Sequence, residues 1–361
     1  MIVSKTKGHH QLVRVKNIKI VVTGATGFKG SWLCFWLHLL KANIVGISLK
    51  PEKDSILYRK LSIDKKIKQY FINIQDSKKL DKVIKKEKPD LIIHLAAQSI
   101  VSLGYKDPKT TIKTNVIGSL NILESVRKNN IKNLIYITSD KCYLNKDEKT
   151  IYLESDRLGG EDLYSASKAS AEIVFEAYVK SFFFNNKKIN LATARAGNVI
   201  GGGDMKKDRI VPDIMKSLIK KNKLTIRNPN AVRPWQHVLE PLHGYLILGN
   251  YLMSNKLNNK ILPNWNFGPN FKNIKSVNEI LAMSLKLWGK KKKIVFKNNK
   301  KFKEVNFLML NSNKAKKEIS WRPKLNFNDT MKLTVDWYKS FYKKENLESI
   351  TKKQIEFFLK K

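Results

Sequence analysis

A glycine pattern between a strand and a helix constrains the fold of this chain more than any other feature. The run IKIVVT at 18–23 is β-branched and typical of a buried strand, and an apolar helix is predicted near 28–41. Between them lie Gly24, Gly27 and Gly30, which let the backbone turn tightly and approach a pyrophosphate. The pyrophosphate would rest on amides at the positive end of the helix. This context predicts a dinucleotide-binding site rather than an ordinary tight turn.

Strands and helices are predicted to alternate along the first 200 residues. Apolar strand runs separated by helices are typical of a parallel sheet with helices on both faces. We therefore expect the α/β class, with a Rossmann-like doubly wound parallel sheet and a smaller C-terminal substrate-binding lobe. The further predicted strands are NIVGISL (43–49), QYFIN (69–73), DLIIHL (90–95), NLIYIT (133–138) and NLATAR (190–195). The further predicted helices lie near 76–88, after Asp107-Pro108 and from near Tyr164.

Three segments are expected along the chain. Residues 1–17 form a basic N-terminal extension that lacks the apolar stretch of a signal peptide. Residues 18–198 form the dinucleotide-binding domain. Residues 199–361, with shorter Asn- and Lys-rich elements, form mainly the second lobe, and part of 233–268 is expected to return to the first domain.

The sequence predicts neither a membrane-spanning segment nor a disulfide framework. The longest apolar run, SWLCFWLHLL at 31–40, contains His38 and is too short to span a bilayer, so we expect a core helix there. Cys34 and Cys142 are the two cysteines of the chain and fit a reducing compartment. We therefore expect a cytoplasmic protein without a membrane partner.

The charge of the chain is strongly positive and allows two interpretations. Its 70 Lys and Arg against 30 Asp and Glu give a formal net charge of +40. Such an excess raises nucleic acid as a partner. However, the basic residues are mostly lysines scattered through Asn- and Ile-rich segments, which favours compositional drift on solvated faces. We expect no specific nucleic-acid partner.

Two groups of polar residues indicate a catalytic site. Ser139, Asp140 and Lys141 follow the strand run NLIYIT, although Asp and Lys are poor strand residues and are rarely buried unpaired. The alternative is a surface turn with an incidental ion pair. Tyr164 and Lys168 are four residues apart, which places both side chains on one face of a helix. A nearby ammonium lowers the pKa of a phenol, so Tyr164 can remove a hydroxyl proton as hydride leaves.

With these motifs the chain resembles the extended short-chain dehydrogenase/reductase family, whose catalytic set is a Ser or Thr, a Tyr and a Lys. Within it, the chain is similar to the nucleotide-sugar 4,6-dehydratases, and among these to the branch that acts on CDP-glucose. The resemblance covers roughly residues 17–340. It rests on GATGFKGSWL (24–33), TSDKCYLN (138–145), LGGEDLYSASKASAE (158–172), RAGNVIGGGD (195–204) and RNPNAVRPWQHVLEPLHGYL (227–246).

The resemblance implies an internal redox cycle with NAD as cofactor, converting CDP-glucose to CDP-4-keto-6-deoxyglucose and water. Tyr164 would deprotonate the 4-hydroxyl, Ser139 would hydrogen-bond the C4 oxygen, and Lys168 would orient the cofactor ribose. Asp140 would protonate the departing 6-hydroxyl. For Lys141 we favour removal of the C5 proton, and the alternative is that it only balances the charge of Asp140.

The family pattern also implies the binding residues, and no metal is expected. Lys50 stands where an NAD enzyme carries an acid for the adenosine ribose, with Glu52 and Asp54 beyond it, so NAD against NADP stays open. Substrate contacts are expected at Gln98, Asn198, Arg209 and Arg233, since a guanidinium can bind phosphate bidentately. Cofactor contacts are expected at Gly24, Thr26, Gly27, Phe28, Gly30, Asn73, Ile74, Ala96, Ala97, Tyr164 and Lys168.

Assembly and exact substrate are the remaining expectations. The family builds a four-helix dimer interface from the helices near 107–129 and 161–183, so we expect a homodimer or a dimer of dimers, active in O-antigen-type polysaccharide biosynthesis. No residue identifies cytosine from sequence, so another sugar-nucleotide dehydratase or epimerase of the family is the alternative. His94, in an apolar strand, is expected to be a core histidine, and His237 is either structural or catalytic.

Overall fold

A parallel sheet of seven strands forms the centre of the molecule. The computed structural model describes residues 14–145, 150–184, 189–220, 224–226, 228–254, 263–289, 294–296 and 307–361. Most of the extension predicted at 1–17 therefore lies outside the described residues. The strands are β1 (Lys19–Thr23), β2 (Asn43–Ser48), β3 (Lys68–Phe71), β4 (Leu91–His94), β5 (Asn133–Ile137), β6 (Ile151–Tyr152), β7 (Asn190–Arg195), β8 (Val199–Ile200), β9 (Leu224–Ile226), β10 (Val232–Pro234), β11 (Gln236–His237), β12 (Asn264–Asn266), β13 (Ile274–Ser276), β14 (Ile294–Phe296) and β15 (Met309–Leu310).

The strand order of the central sheet is β12-β7-β5-β4-β1-β2-β3, and every neighbouring pair is parallel. The chain runs outward from β1 through β2 to β3, then crosses back to β4 on the other side of β1. This reversal makes the carboxyl ends of β1 and β4 a topological switch point, where ligands bind in doubly wound sheets. The predicted Rossmann-like α/β fold is confirmed.

Helices cover both faces of the sheet. Alternate residues of β1 show the two cores: Ile20 and Val22 face one apolar cluster, and Val21 faces the other. The helices are α1 (Phe28–Leu39), α2 (Ile56–Lys60), α3 (Ser77–Glu87), α4 (Val101–Lys106), α5 (Pro108–Ile112), α6 (Ser119–Lys128), α7 (Leu163–Tyr178), α8 (Ile210–Lys220), α9 (Leu239–Ser254), α10 (Val277–Trp288), α11 (Asn313–Glu318), α12 (Phe327–Tyr342) and α13 (Leu347–Lys360).

The helix boundaries follow local sequence signals. Asp107 caps α5 by accepting the amide of Thr110, and Pro108 occupies the first turn. The tryptophan-rich run at 31–40 forms the buried part of α1, as expected. Short π-helical segments at Lys113–Gly118 and Val179–Phe183 join α5 to α6 and extend α7.

The residues after 200 build a second layer of small two-stranded pairs, to which β6 and β8 from earlier in the chain also contribute. The pairs are β10–β13, β11–β8, β14–β9 and β15–β6. Within this part of the chain, α9 packs against β5 and β7, and β12 joins the edge of the central sheet. None of the helices in the described parts of the chain is long and apolar enough to cross a membrane. The use of this second layer for substrate binding stays a prediction.

Candidate active site

A deep cleft lies across the carboxyl ends of the parallel strands. Its volume is about 710 Å³, which is large enough for a sizeable ligand. Within the described chain, its lining includes every site residue expected from the sequence except Gln98. The structure therefore brings these residues together along one continuous cleft at the edge of the central sheet.

Gln98 is the expected substrate contact that the structure does not place on the cleft. Its side-chain amide donates to the hydroxyl of Thr111 at 2.9 Å, and its side-chain oxygen accepts the amide of Ile100. Its backbone amide donates to Asn115 Oδ1 at 2.8 Å. Gln98 thus uses its polar groups to hold the loop between β4 and α4, and its expected contact with the substrate stays a prediction.

The glycine loop is shaped for close approach of a ligand to the backbone. Gly24 has a φ of +73°, and a Cβ there would lie 2.9 Å from the backbone nitrogen of Ala96. A Cβ on Gly30 would lie 2.1 Å from the carbonyl oxygen of Gly24. Gly27 is the N-cap of α1, and no side chain of the described residues caps this helix end. The first amides of α1 are therefore available to an anion such as a dinucleotide pyrophosphate.

An acid lies on the cleft four residues beyond the end of β2. Glu52 lines the cleft together with Lys50, beyond the strand end where dinucleotide-binding folds carry an acid for the ribose. Lys206 Nζ lies 2.6 Å from Glu52 Oε2 and 3.1 Å from Asp54 Oδ2, so the two carboxylates are tied to the second layer. This end of the cleft fits a ribose with free hydroxyls through the carboxylate of Glu52.

The polar triplet forms a short helical turn at the end of β5. Ser139 is the N-cap of this turn, and its Oγ accepts the amide of Lys141 at 3.3 Å. The same hydroxyl donates to Asp140 Oδ1 at 2.9 Å, and the side-chain amide of Asn198 donates to Asp140 Oδ2 at 3.1 Å. The strand ends on polar residues because the chain leaves the sheet at the cleft, so the alternative of a surface turn is wrong.

Tyr164 and Lys168 lie on the first two turns of α7 and are buried at the cleft. Burial raises the pKa of Tyr164 to about 12, against the lowering effect of a hydrogen bond with Ser139. Burial also lowers the pKa of Lys168 to about 8, partly opposed by Cys142 and Glu172. The expected lowering of the phenol pKa is therefore not found in the protein alone, because desolvation outweighs the nearby charges.

Lys29 is a cleft residue that sequence reasoning missed. It follows Phe28 in α1, lines the cleft, and has neither a hydrogen bond nor a salt bridge to any residue that the structure describes. Burial lowers its pKa to about 8, with further lowering by Arg209 and Lys168 and an opposing effect of Asp140. The available signal was a lysine inside the otherwise apolar run FKGSWLCFWL.

Comparison with known proteins now identifies the family. The profile of GDP-mannose 4,6 dehydratase matches residues 21–334. A CDP-glucose 4,6-dehydratase of Salmonella typhimurium is 37% identical over 346 residues, covering 94% of this chain and 96% of the relative. The chain belongs to the nucleotide-sugar 4,6-dehydratase family. This confirms the family expected from the sequence motifs.

Solved structures show how widely this dehydratase fold is shared. A dTDP-glucose 4,6-dehydratase from Bacillus anthracis in complex with NAD has a TM-score of 0.74 at 23% identity, covering 92% of this chain and 99% of that one. A UDP-glucuronic acid 4-epimerase from Bacillus cereus, in complex with UDP-glucuronic acid and NAD, has a TM-score of 0.77 at 23% identity, covering 90% and 100%. At these identities the likeness shows the common fold.

A buried ion pair supports the active-site turn of this dehydratase and was also missed from the sequence. Arg195 Nη2 lies 2.9 Å from Glu172 Oε2, and Arg195 Nε donates to Glu172 Oε1 at 3.0 Å. Glu172 also accepts the hydroxyl of Thr138, and Arg195 donates to the hydroxyl of Tyr143 at 2.7 Å. The pair therefore joins β7 and α7 to both ends of the turn that carries Asp140.

The other residues singled out from the sequence are His94, His237 and Arg209. His94 is buried, with Nδ1 2.7 Å from Thr23 Oγ1 and Nε2 2.9 Å from Ser119 Oγ, which matches the expected core histidine. His237 is fully buried, packs edge-on against Trp32, and is not among the described cleft residues, which favours its structural interpretation. Arg209, in contrast, lines the cleft and is held by Asp204 and Ser99, both at 2.7 Å.

Proposed function

We propose that the protein converts CDP-D-glucose to CDP-4-keto-6-deoxy-D-glucose and water. The observation that carries this proposal is the meeting of Ser139, Asp140, Lys141, Tyr164 and Lys168 in one cleft beside an uncapped glycine loop. The 37% identity to a CDP-glucose 4,6-dehydratase along nearly the whole chain supports the choice of substrate.

NAD is the cofactor of this reaction, and the cleft fits it. The loop of Gly24, Gly27 and Gly30 leaves room for the pyrophosphate, and Glu52 lies at the ribose end of the cleft. Bound there, the cofactor would supply an acceptor for the C4 hydride of the sugar and a donor of hydride to C6. Lys168 holds a ribose hydroxyl of the cofactor, and its position in α7 on the same cleft supports this role.

Oxidation at C4 needs a base for the 4-hydroxyl proton. Tyr164 takes this role, with the hydroxyl of Ser139 beside it to hold the C4 oxygen. Because burial raises the pKa of Tyr164 to about 12 in the protein alone, the phenolate has to be favoured by cationic groups in the occupied cleft. Lys168 is the protein cation one helical turn away from the phenol.

Loss of water from C5 and C6 needs a second base and an acid. Lys141 removes the C5 proton, which the C4 ketone has made acidic, and the C5–H electrons form the C5–C6 double bond. The protonated amine of Lys141 gives this proton back to C5 when hydride returns to C6. The C6–O bond breaks as Asp140 gives its proton to the 6-hydroxyl, so the leaving group is water. Both residues lie on the same short turn at the cleft, which is what a paired acid and base require.

The phosphates of the substrate are assigned to arginines of the second layer. Arg209 and Arg233 line the cleft, and Arg209 is already oriented by its bonds to Asp204 and Ser99. An oriented guanidinium binds a phosphate with two parallel hydrogen bonds at little further cost in side-chain entropy.

The same fold also serves 4-epimerases, so the reaction has to be tested directly. The experiment is a panel of CDP-, dTDP-, UDP- and GDP-glucose, followed for the 4-keto product and for reduced cofactor. We expect 4-keto product from CDP-glucose without stoichiometric NADH, and no product with Tyr164→Phe. A C4 epimer as the main product, or preference for another nucleotide, would replace the present assignment.

Three further properties belong to this proposal. We propose a homodimer in the cytoplasm that supplies deoxysugars for an O-antigen-type polysaccharide. We propose no specific nucleic-acid partner, because the excess of lysine is spread over exposed positions. Binding of nucleic acid should then be weak and should disappear steeply as salt is added. Tight, sequence-selective binding at physiological salt would contradict this.

A further inference from the structure

The carboxylate of Asp140 is held at both oxygens. It is only 4% exposed, Ser139 donates to Oδ1 at 2.9 Å, and the side-chain amide of Asn198 donates to Oδ2 at 3.1 Å. The Ser139 bond is local and comes from the same turn, whereas Asn198 reaches across from the segment after β7. The direction of the carboxylate is therefore set by a second element of the fold.

Gly197 forms the wall behind this carboxylate. A Cβ on Gly197 would lie 1.7 Å from Asp140 Oδ2 and 1.9 Å from Asp140 Cγ, so any larger residue would displace the acid. The φ of Gly197 is not positive, so space rather than backbone conformation requires glycine here. The Gly197–Asn198 segment thus limits the space around the carboxylate and also donates a hydrogen bond to it.

The segment itself is rigidly supported. Asn198 has a φ of +51°, a left-handed conformation that Asn and Gly adopt more readily than other residues. The backbone amide of Gln236 donates to the carbonyl of Asn198 at 3.2 Å. The side-chain amide of Gln236 donates to the carbonyls of Gly197 and Phe267, both at 2.9 Å. The buried glutamine of the RPWQH block therefore fixes the position of the Asn198 amide.

We propose that Asn198 is a positioning residue that aims Asp140 at the departing 6-hydroxyl. The sequence resemblance assigned Asn198 to a contact with the sugar nucleotide, whereas in the structure its side-chain amide donates to Asp140. When Asp140 gives its proton to the 6-hydroxyl and the C6–O bond breaks, the Asn198 and Ser139 donors stabilise the carboxylate that remains. This inference rests on the proposed dehydratase reaction.

The test separates the two halves of the reaction with Asn198→Gly, which keeps the left-handed backbone and removes the amide. C4 oxidation does not use Asp140, so reduced cofactor should still form. Misplacing an acid by about 1 Å costs on the order of 100-fold in rate. We expect kcat to fall 10- to 100-fold, KM for the nucleotide sugar to change less than about 3-fold, and absorbance at 340 nm to accumulate. Asp140→Asn should give the same absorbance signature.

Asn130→Gly is the matched control. Asn130 has nearly the same left-handed φ of +50° but lies at an exposed turn after α6, so its replacement should leave kcat, KM and the 340 nm trace unchanged. A KM raised 10-fold or more in Asn198→Gly, without accumulating reduced cofactor, would assign Asn198 to the sugar and overturn the proposal. Wild-type kinetics in Asn198→Gly would overturn it as well.

The experiments distinguish failure of the proposed dehydratase reaction from failure of the positioning role of Asn198. If wild-type protein forms no 4-keto product from any nucleotide sugar of the panel, the reaction is wrong and the inference falls with it. If the wild type turns over and only the variant pattern differs, the positioning role alone is rejected. Circular dichroism of each variant shows whether the fold is retained, and Asn198→Asp, which is nearly isosteric but cannot donate when ionised, gives a second variant with the same expected signature.

Discussion

Breaking the buried ion pair of Glu172 and Arg195 should destabilise the protein far more than breaking an exposed pair of equal length. The two side chains are only 3% and 2% exposed, and they share two hydrogen bonds of 2.9 and 3.0 Å. Burial opposes the charge of Arg195, but the Glu172 carboxylate outweighs it and holds the pKa of the guanidinium well above its ordinary value. Removing the carboxylate therefore takes away the negative charge that balances a buried cation.

The magnitude follows from the geometry. Unit charges 2.9 Å apart attract by about 6 kcal/mol at an effective dielectric constant of about 20. Loss of one partner from a buried pair typically costs about 3–5 kcal/mol, whereas replacing both partners by apolar side chains is often close to neutral. We expect Glu172→Met and Arg195→Met each to lower the free energy of unfolding by about 3–5 kcal/mol. The double variant should lose less than the sum by at least about 2 kcal/mol.

The assay is urea unfolding, followed by tryptophan fluorescence and by far-ultraviolet circular dichroism to test that both probes give one transition. Lys332 and Asp336 provide the control, since their atoms are 2.8 Å apart but their side chains are 67% and 43% exposed. Lys332→Met should cost less than about 1 kcal/mol. Buried single variants that cost no more than this control, or costs that add in the double variant, would refute the reasoning.

Three further predictions test the site, the pH response and the assembly. Lys141→Met should still form reduced cofactor transiently but lose C5 exchange in deuterated water, and exchange at the wild-type rate would show that Lys141 is not the base. Burial lowers the pKa of His94 from 6.5 to about 3, so the unfolded chain binds a proton that the folded chain does not. Stability should therefore fall as the pH drops below 6.5, by about 2 kcal/mol at pH 5 from this residue, and urea midpoints of His94→Gln should show a flatter decline; an unchanged slope would contradict this. Ile173 in α7 is 55% exposed, and Ile173→Glu should convert the proposed dimer to a monomer, measured by light scattering at micromolar concentration. Phe271, which is 53% exposed outside α7, provides the control, because Phe271→Glu should leave the dimer intact. A monomeric wild-type protein would reject the dimer.

The central sheet was predictable because its signals are local. Each of the first five β-branched or apolar runs became a strand within one or two residues, and α5 begins at the Asp107-Pro108 signal. The π-helical segments Lys113–Gly118 and Val179–Phe183 had no signal, since they arise within continuous helical sequence. The expectation that part of 233–268 returns to the first domain did not locate the strand Asn264–Asn266, because this strand pairs with one about 70 residues earlier.

Residues of the cleft were predictable where motif spacing defines them and not where local contacts do. Ser139, Tyr164 and Lys168 follow from fixed spacing relative to strands and helices. Gln98 shows the limit, because a position in a family pattern does not say which partner a side chain finds locally. Lys29 shows the converse, since its charge faces the cleft although its sequence neighbours are core residues.

The net charge of +40 does not indicate which ligand is bound, whereas the position of a few cations on the cleft indicates an anionic one. Exposed lysines attract any anion weakly, and salt screens them over about 8 Å at physiological ionic strength. Lys29 and Lys168 are different, because burial lowers both of their pKa values to about 8 and makes their charge costly without an anion nearby. An anionic ligand in the cleft repays that cost, and Arg209, held by Asp204, adds a further oriented charge. The fold therefore holds a small group of cations at the carboxyl ends of its strands, where an anionic ligand would lower the cost of burying them.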